Sequence, residues 1–195
     1  KENSNIKTTF QMCISHSFKN IIKPSIEESE NITSITIPAN VAAIEECVPS
    51  LYPNLRSISV DPNNLFFTSL DGILYSKDLD QLIWFPAKHE FSTYQLPSSV
   101  TYIGTSAFNI CHKEQSNAQS MFSDYSNLQS ITVDSNNLHF ASIDGILFTK
   151  NLSSIIRFPP NHQLSTYNIP TSVTSICNSA FSGCSNLQSI TIPTS

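Results

Sequence analysis

His89 and His162 stand 73 residues apart, and so do Asp71 and Asp144, in a chain of 195 residues. Imidazoles and carboxylates are the usual general acids and bases, so these are the first candidates for chemistry. Their setting argues against it. Asp71 opens DGILYSK and Asp144 opens DGILFTK, and Asp-Gly between apolar stretches is a strong local signal for a tight hairpin turn. The two histidines repeat at the same offset, which predicts a structural role for both. No Gly-x-Ser-x-Gly, His-Glu-x-x-His or phosphate-cradling glycine loop occurs, and only four glycines are present. The five cysteines, Cys13, Cys47, Cys111, Cys177 and Cys184, are odd in number and form no CxxC pair. That argues against a zinc site and a closed disulfide framework and predicts buried free thiols. No catalytic residue, metal ligand or cofactor is assigned.

The bulk composition points to strands and turns. Charged residues make up 13% of the chain, against about 25% in typical domains. Ser, Thr and Asn take their place, and these compete with helix interiors and favour turns and strand faces. A formal net charge of −5 gives no reason to expect nucleic acid or an anionic membrane as partner. No apolar run approaches the roughly 20 residues that span a bilayer. KENSNIKTTF at the start lacks the apolar stretch of a secretory signal and an initiator Met.

The chain repeats itself. Residues 127–181 match 54–108 position for position without a gap, and such self-similarity dictates fold class. A shorter unit lies inside. ITIP at 35–38, ISVD at 58–61, YQLP at 94–97, ITVD at 131–134, YNIP at 167–170 and ITIP at 190–193 each alternate apolar and polar residues. Each then ends in Pro or Asp, as a half-buried strand does. Their first apolar residues are spaced by 23, 36, 37, 36 and 23, and 23 lies within the leucine-rich repeat period. The steps of 36 each carry the DGIL stretch, read as an inserted hairpin. The step of 37 carries NICHKEQSNAQSMF (109–122), polar and unrepeated, expected to be a surface loop.

IPTSVTSICNSAFSGCSNLQSITIP (169–193) resembles the repeat of BspA-type, or Treponema-type, leucine-rich repeat proteins. That pattern runs Ile-Pro-x-Ser-Val-x-x-Ile-Gly-x-x-Ala-Phe-x-x-Cys-x-x-Leu. Ile169, Pro170, Ser172, Val173, Ile176, Ala180, Phe181, Cys184 and Leu187 fall on it, with Cys177 in place of the Gly. The copy from Leu96 keeps Gly104, Ala107, Phe108 and Cys111; the copy at 37–55 departs at ECVPSLYPNL. DGIL insertions are also similar to those of the family. The resemblance implies a leucine-rich repeat solenoid, a right-handed β-rich superhelix of the α/β class. Its concave parallel sheet would have about six strands, interrupted by hairpin insertions. The family occurs on bacterial surfaces and in parasitic protists such as trichomonads, which implies attachment to host cells or matrix proteins. It has no catalytic residues to transfer.

In such a solenoid each rung buries its apolar residues against its neighbours. Leu55, Ile58, Val60, Leu128, Ile131 and Val133 are expected to point inward, with Phe108, Phe181, Cys111 and Cys184 in the same core. Outward on the concave sheet lie two polar columns: Ser34, Ser57, Thr93, Ser130, Thr166 and Ser189, then Thr36, Ser59, Gln95, Thr132, Asn168 and Thr191. Neither holds a charge. Ser59, Gln95, Thr132, Asn168 and Thr191 are the candidate binding residues, although Ser and Thr also simply suit strand pairing. Trp84 and Arg157 occupy one position of the repeat, as do Phe66 and His139, and Lys88 and Asn161. An exposed Trp or Arg is a frequent interface anchor; the alternative is that Trp84 covers the hairpin's own core.

Residues 1–30 are read as an N-terminal segment in which 8–22, with Phe10, Cys13, Ile14, Phe18, Ile21 and Ile22 near one helical face, form a capping helix. Residues 31–195 form the repeat domain, with long units 54–126 and 127–185 and a last, truncated unit 186–195. TIPTS at the end is expected to continue in the natural protein or to have been cut. The expected function is a non-catalytic binding module at the cell surface or secreted, holding a protein or glycan in adhesion. The competing expectation is an intracellular scaffold with a protein partner. Asn31-Ile-Thr and Asn151-Leu-Ser are glycosylation sequons.

Overall fold

The computed structural model describes residues 9–11, 31–45, 48, 51–108 and 127–193. The loop expected at 109–122 lies outside them, as do Cys13, Cys47 and Cys111. In chain order the strands are β1 (Thr9–Gln11), β2 (Ser34–Ile37), β3 (Ser57–Val60), β4 (Phe67–Leu70), β5 (Ile73–Ser76), β6 (Gln81–Trp84), β7 (Thr93–Leu96) and β8 (Tyr102–Ile103). Then follow β9 (Ser130–Val133), β10 (Phe140–Ile143), β11 (Ile146–Thr149), β12 (Ser154–Arg157), β13 (Thr166–Asn168), β14 (Ser175–Ile176) and β15 (Ser189–Thr191). All six alternating stretches of the sequence are strands, β2, β3, β7, β9, β13 and β15, wound into a β-solenoid of about six turns.

These six do not form one continuous sheet. They pair parallel as β2–β3, β7–β9 and β13–β15, with Ile35 opposite Ile58, Tyr94 opposite Ile131 and Tyr167 opposite Ile190. A hairpin separates each pair from the next. β4 and β5 run antiparallel around Asp71-Gly72, with Leu70 opposite Ile73; β10 and β11 do the same around Asp144-Gly145. Both residues of each turn have positive φ, 51° and 79° in both copies, as a two-residue type I′ turn requires.

The turn closes the flank of the neighbouring strand. Ile58 N donates to Gly72 O at 2.8 Å and Ile131 N to Gly145 O at 2.7 Å. His89 Nε2 donates to Asp71 O at 2.7 Å while its Nδ1 accepts from Phe91 N. His162 repeats both bonds with Asp144 O and Leu164 N. The repeated histidines thus hold repeated turns. A Cβ on Gly145 would lie 2.5 Å from Ser130 Oγ and 3.0 Å from Ser130 Cβ. Gly145→Ala should therefore destabilise by roughly 1–3 kcal/mol through backbone strain alone, with more from displacing Ser130. A urea midpoint shift of that size checks it.

Nor are the hairpins decoration. β5 is buried at Ile73, Leu74 and Tyr75, on both of its faces. Leu74 packs with Ile35, Ile58, Phe67 and Trp84 in one apolar layer, whereas Ile73 and Tyr75 join Leu82, Tyr94, Leu96 and Ile131 in the next. In the second unit Leu147 faces the middle layer, and Ile146 and Phe148 face a third with Ile155, Phe158 and Ile169. Each hairpin lies between two layers of the spine and contributes side chains to both. Leu55, Ile58, Leu128 and Ile131 are buried as expected, while Val60 and Val133 are only half-buried at the strand ends.

Other expectations need correction. No helix occurs among the described residues, so the α half of the expected α/β class is not there. On the back of the rungs single turns close, such as Ala107 N to Gly104 O and Ala180 N to Cys177 O, too short to propagate a helix. Within the segment read as a capping helix, Thr9–Gln11 is a strand, parallel to Ser34–Thr36. Open ladder groups on β2 compete with a short amphipathic stretch whose helix is marginal by itself. The rest of 8–22 lies outside the described residues. Cys177 is exposed and Cys184 half-buried, both free thiols; Cys177 replaces Gly104's type in a surface turn. Burial pushes the Cys184 thiol up to about 11, so it is no ready nucleophile. Phe108 and Phe181 are half-buried, packed at 5.5 Å on Phe85 and 5.3 Å on Phe158. The full burial belongs to Phe158.

The hydroxyls of Tyr75 and Tyr94 meet at 2.5 Å inside the middle layer. Burial raises Tyr52 and Tyr75 from 10.0 to about 12 and Tyr94 further. The unfolded chain ionises these phenols from about pH 10, and the folded chain resists until about 12. Their contribution is complete below pH 10 and is lost as pH rises toward 12. Urea midpoints followed through Trp84, the single tryptophan, should stay level to pH 10 and fall steeply above it.

Candidate binding face

The outward strand face follows from the pleat. On β3 the exposed Ser57 and Ser59 alternate with buried Ile58, and on β7 the exposed Thr93 and Gln95 alternate with buried Tyr94 and Leu96. Ser59, Gln95, Thr132, Asn168 and Thr191 are all exposed. Register brings them together in pairs: Thr36 beside Ser59, Gln95 beside Thr132, Asn168 beside Thr191. Some of their capacity is already spent. Thr36 Oγ1 and Ser59 Oγ share a hydrogen bond of 2.8 Å, and Thr132 Oγ1 reaches Tyr94 O at 3.4 Å. Gln95, Asn168 and Thr191 are exposed and make no side-chain hydrogen bond among the described residues.

Ser59 and Gln95 do not meet, since Gly72 occupies the flank of β3 between the parallel pairs; Gly145 does the same at β9. The seams also bring charge to a face whose strand columns have none. Around Thr132 an open groove of about 470 Å³ is lined by Asp134, Ser135, Phe140, Ser142, Asp144 and Lys150, among others. Ser142 Oγ is tied to Ile131 O and Lys150 Nζ to Asn137 O, and Asp134 Oδ1 accepts from Asn136 N at 2.9 Å; Asp144 and Ser135 complete the polar lining. These were missed because strand alternation counts columns only, and both aspartates end or interrupt strands. The repeated Asp of ITVD and DGIL was the available signal. Among the described residues no group of three or more His, Cys, Asp or Glu could hold a metal ion.

Trp84 and Arg157 are not on this face. Trp84 is 1% exposed, its ring centroid 5.7 Å from that of Tyr52. Arg157 is 4% exposed; one terminal nitrogen donates to Ser179 O at 2.6 Å and its Nε has no partner. Desolvation lowers its guanidinium to about 10. Neither can anchor a partner without the fold opening. Phe66, whose counterpart is His139, is instead exposed, as are Leu65 and Leu138.

The sequence pattern of the BspA type leucine rich repeat region matches this chain in six copies, over residues 3–82, 84–162 and 156–195. The chain belongs to the BspA-type leucine-rich repeat family. Two solved structures share the fold. One is the pneumococcal vaccine antigen PcpA, at 18% identity and a TM-score of 0.51, covering 83% of this chain and 34% of that one. The other is a leucine-rich repeat protein from Eubacterium ventriosum, at 21% identity and a TM-score of 0.52, covering 83% and 36%. The BspA-type chain thus spans about a third of the length of each. No curated protein matches it in sequence.

Proposed function

We propose that the concave face is a non-catalytic protein-binding surface of a cell-surface or secreted protein, acting in adhesion to host cells or matrix proteins. The observation that carries this is the set of hydroxyls and amides held in register on each parallel strand pair, beside the groove at Thr132. Such a surface offers many modest hydrogen bonds at little ordering cost, since its strands are already fixed. Membership of the BspA-type family supports a binding rather than a catalytic use, and PcpA being a vaccine antigen supports exposure outside the cell.

The test is binding of the soluble chain to immobilised matrix proteins and glycans, with and without Gln95→Glu and Asn168→Glu together. Both positions are exposed, so stability should stay within about 0.5 kcal/mol. The double variant should lose tenfold or more in affinity. Binding by the parent chain that those charges leave untouched contradicts the assignment.

A further inference from the structure

We propose that Asn151 is an acceptor for an N-linked glycan. Asn151-Leu152-Ser153 forms the turn between β11 and β12, and Asn151 is exposed. Its Oδ1 accepts from Ser153 Oγ at 2.8 Å, Ser153 N at 3.2 Å and Thr149 Oγ1 at 2.9 Å. Its Nδ2, the atom that would carry the sugar, has no partner among the described residues. The turn therefore sets the sequon's carboxamide and hydroxyl side by side on an exposed residue and leaves the reacting nitrogen unbonded. In the other sequon, Asn31-Ile-Thr, the middle residue Ile32 is 1% exposed in the first apolar layer; Leu152 is half-buried.

The first unit shows that the turn does not need these residues. Its counterpart is Asp78-Leu79-Asp80, with φ of 60° at Leu79 against 59° at Leu152. The same backbone is built there with a carboxylate where Asn151 stands, so Asn-Leu-Ser is not dictated by the turn. The step itself is a transfer from a polyprenyl-diphosphate-linked oligosaccharide. The bond between the sugar's anomeric carbon and the phosphate oxygen breaks, a bond from that carbon to Nδ2 forms, Nδ2 loses a proton, and polyprenyl diphosphate leaves.

The inference rests on the surface reading only in that the chain must enter a secretory lumen, and the experiment supplies that entry. The full chain is fused behind a cleavable secretory leader in a glycosylating yeast. The product is compared before and after peptide N-glycosidase, by gel mobility and by mass of the peptide holding Asn151. Cell-free translation with microsomes gives the same readout if secretion fails. The expected result is a glycosidase-sensitive shift that maps to Asn151 and disappears in Asn151→Asp, which places there the carboxylate that Asp78 carries in the first unit and should melt as the unglycosylated parent does. An unmodified Asn151 peptide from imported chain overturns the proposal. So does an Asn151→Asp chain that no longer folds, since the two turns would then not be equivalent. Neither outcome bears on whether the concave face binds protein.

Discussion

Asn137→Ala is expected to cost the fold about 3–5 kcal/mol. Asn137 is fully buried, and its carboxamide makes four hydrogen bonds. Nδ2 donates to Pro97 O and Val100 O, both at 2.9 Å, and Oδ1 accepts from His139 N and Phe140 N, both at 2.8 Å. It ties the turn entering one hairpin to the corner of the preceding rung. Alanine would orphan four backbone groups, two of them deeply buried, and each buried orphan costs about 1–3 kcal/mol. The other two lie nearer solvent and recover water. Asn64 makes the same four bonds to Pro38, Val41, Phe66 and Phe67, so Asn64→Ala should cost as much. Asp at either site should fare no better, because a carboxylate would face two carbonyls with no donor. Urea unfolding at unchanged slope measures the loss, and a shift below about 1 kcal/mol would rule the clamp out.

Trp84→Ala is the second large effect, at about 3–5 kcal/mol. Trp84 fills the first apolar layer between Tyr52 and Leu74, and the cavity left behind cannot collapse while β5 is held on both faces. Phe66→Ala, at a position 49% exposed, should stay within about 0.5 kcal/mol. The comparison separates a core residue from a partner anchor: an anchor at Trp84 would lose binding and keep stability.

Much of this architecture was legible in the residues. The alternating stretches fold as strands, the Asp-Gly pairs as type I′ turns, and the repeated histidines serve structure, because period, turn chemistry and offset are local signals. Sheet continuity was not legible, since alternation says which residues face out and not which strand lies alongside. The cue that the hairpins belong to the spine was Ile-Leu-Tyr and Ile-Leu-Phe, three apolar residues running without alternation, as in a strand covered on both faces. Trp84 and Arg157 invited an anchor reading because they differ between units. Their burial depends on what packs beside each, Tyr52 in the case of Trp84, which sequence spacing does not reveal. Asn64 and Asn137 repeat in DPNNL and DSNNL, yet an Asn in a turn reads as solvated until its carboxamide is seen to be enclosed. On the binding face the columns were readable and the groove was not, because it arises where a hairpin interrupts them.

The central claim is that the hairpins complete the solenoid, sealing β3 and β9 through Gly72 and Gly145. Native-state hydrogen exchange at Ile58 and Ile131 tests it, since their amides bond to those two turn carbonyls. The account predicts that both exchange only through global unfolding, with the opening free energy of the buried strand amides around them. Exchange at either amide through a local opening of much lower free energy, with the rest of the spine still protected, would show that the hairpins are appendages and contradict the account.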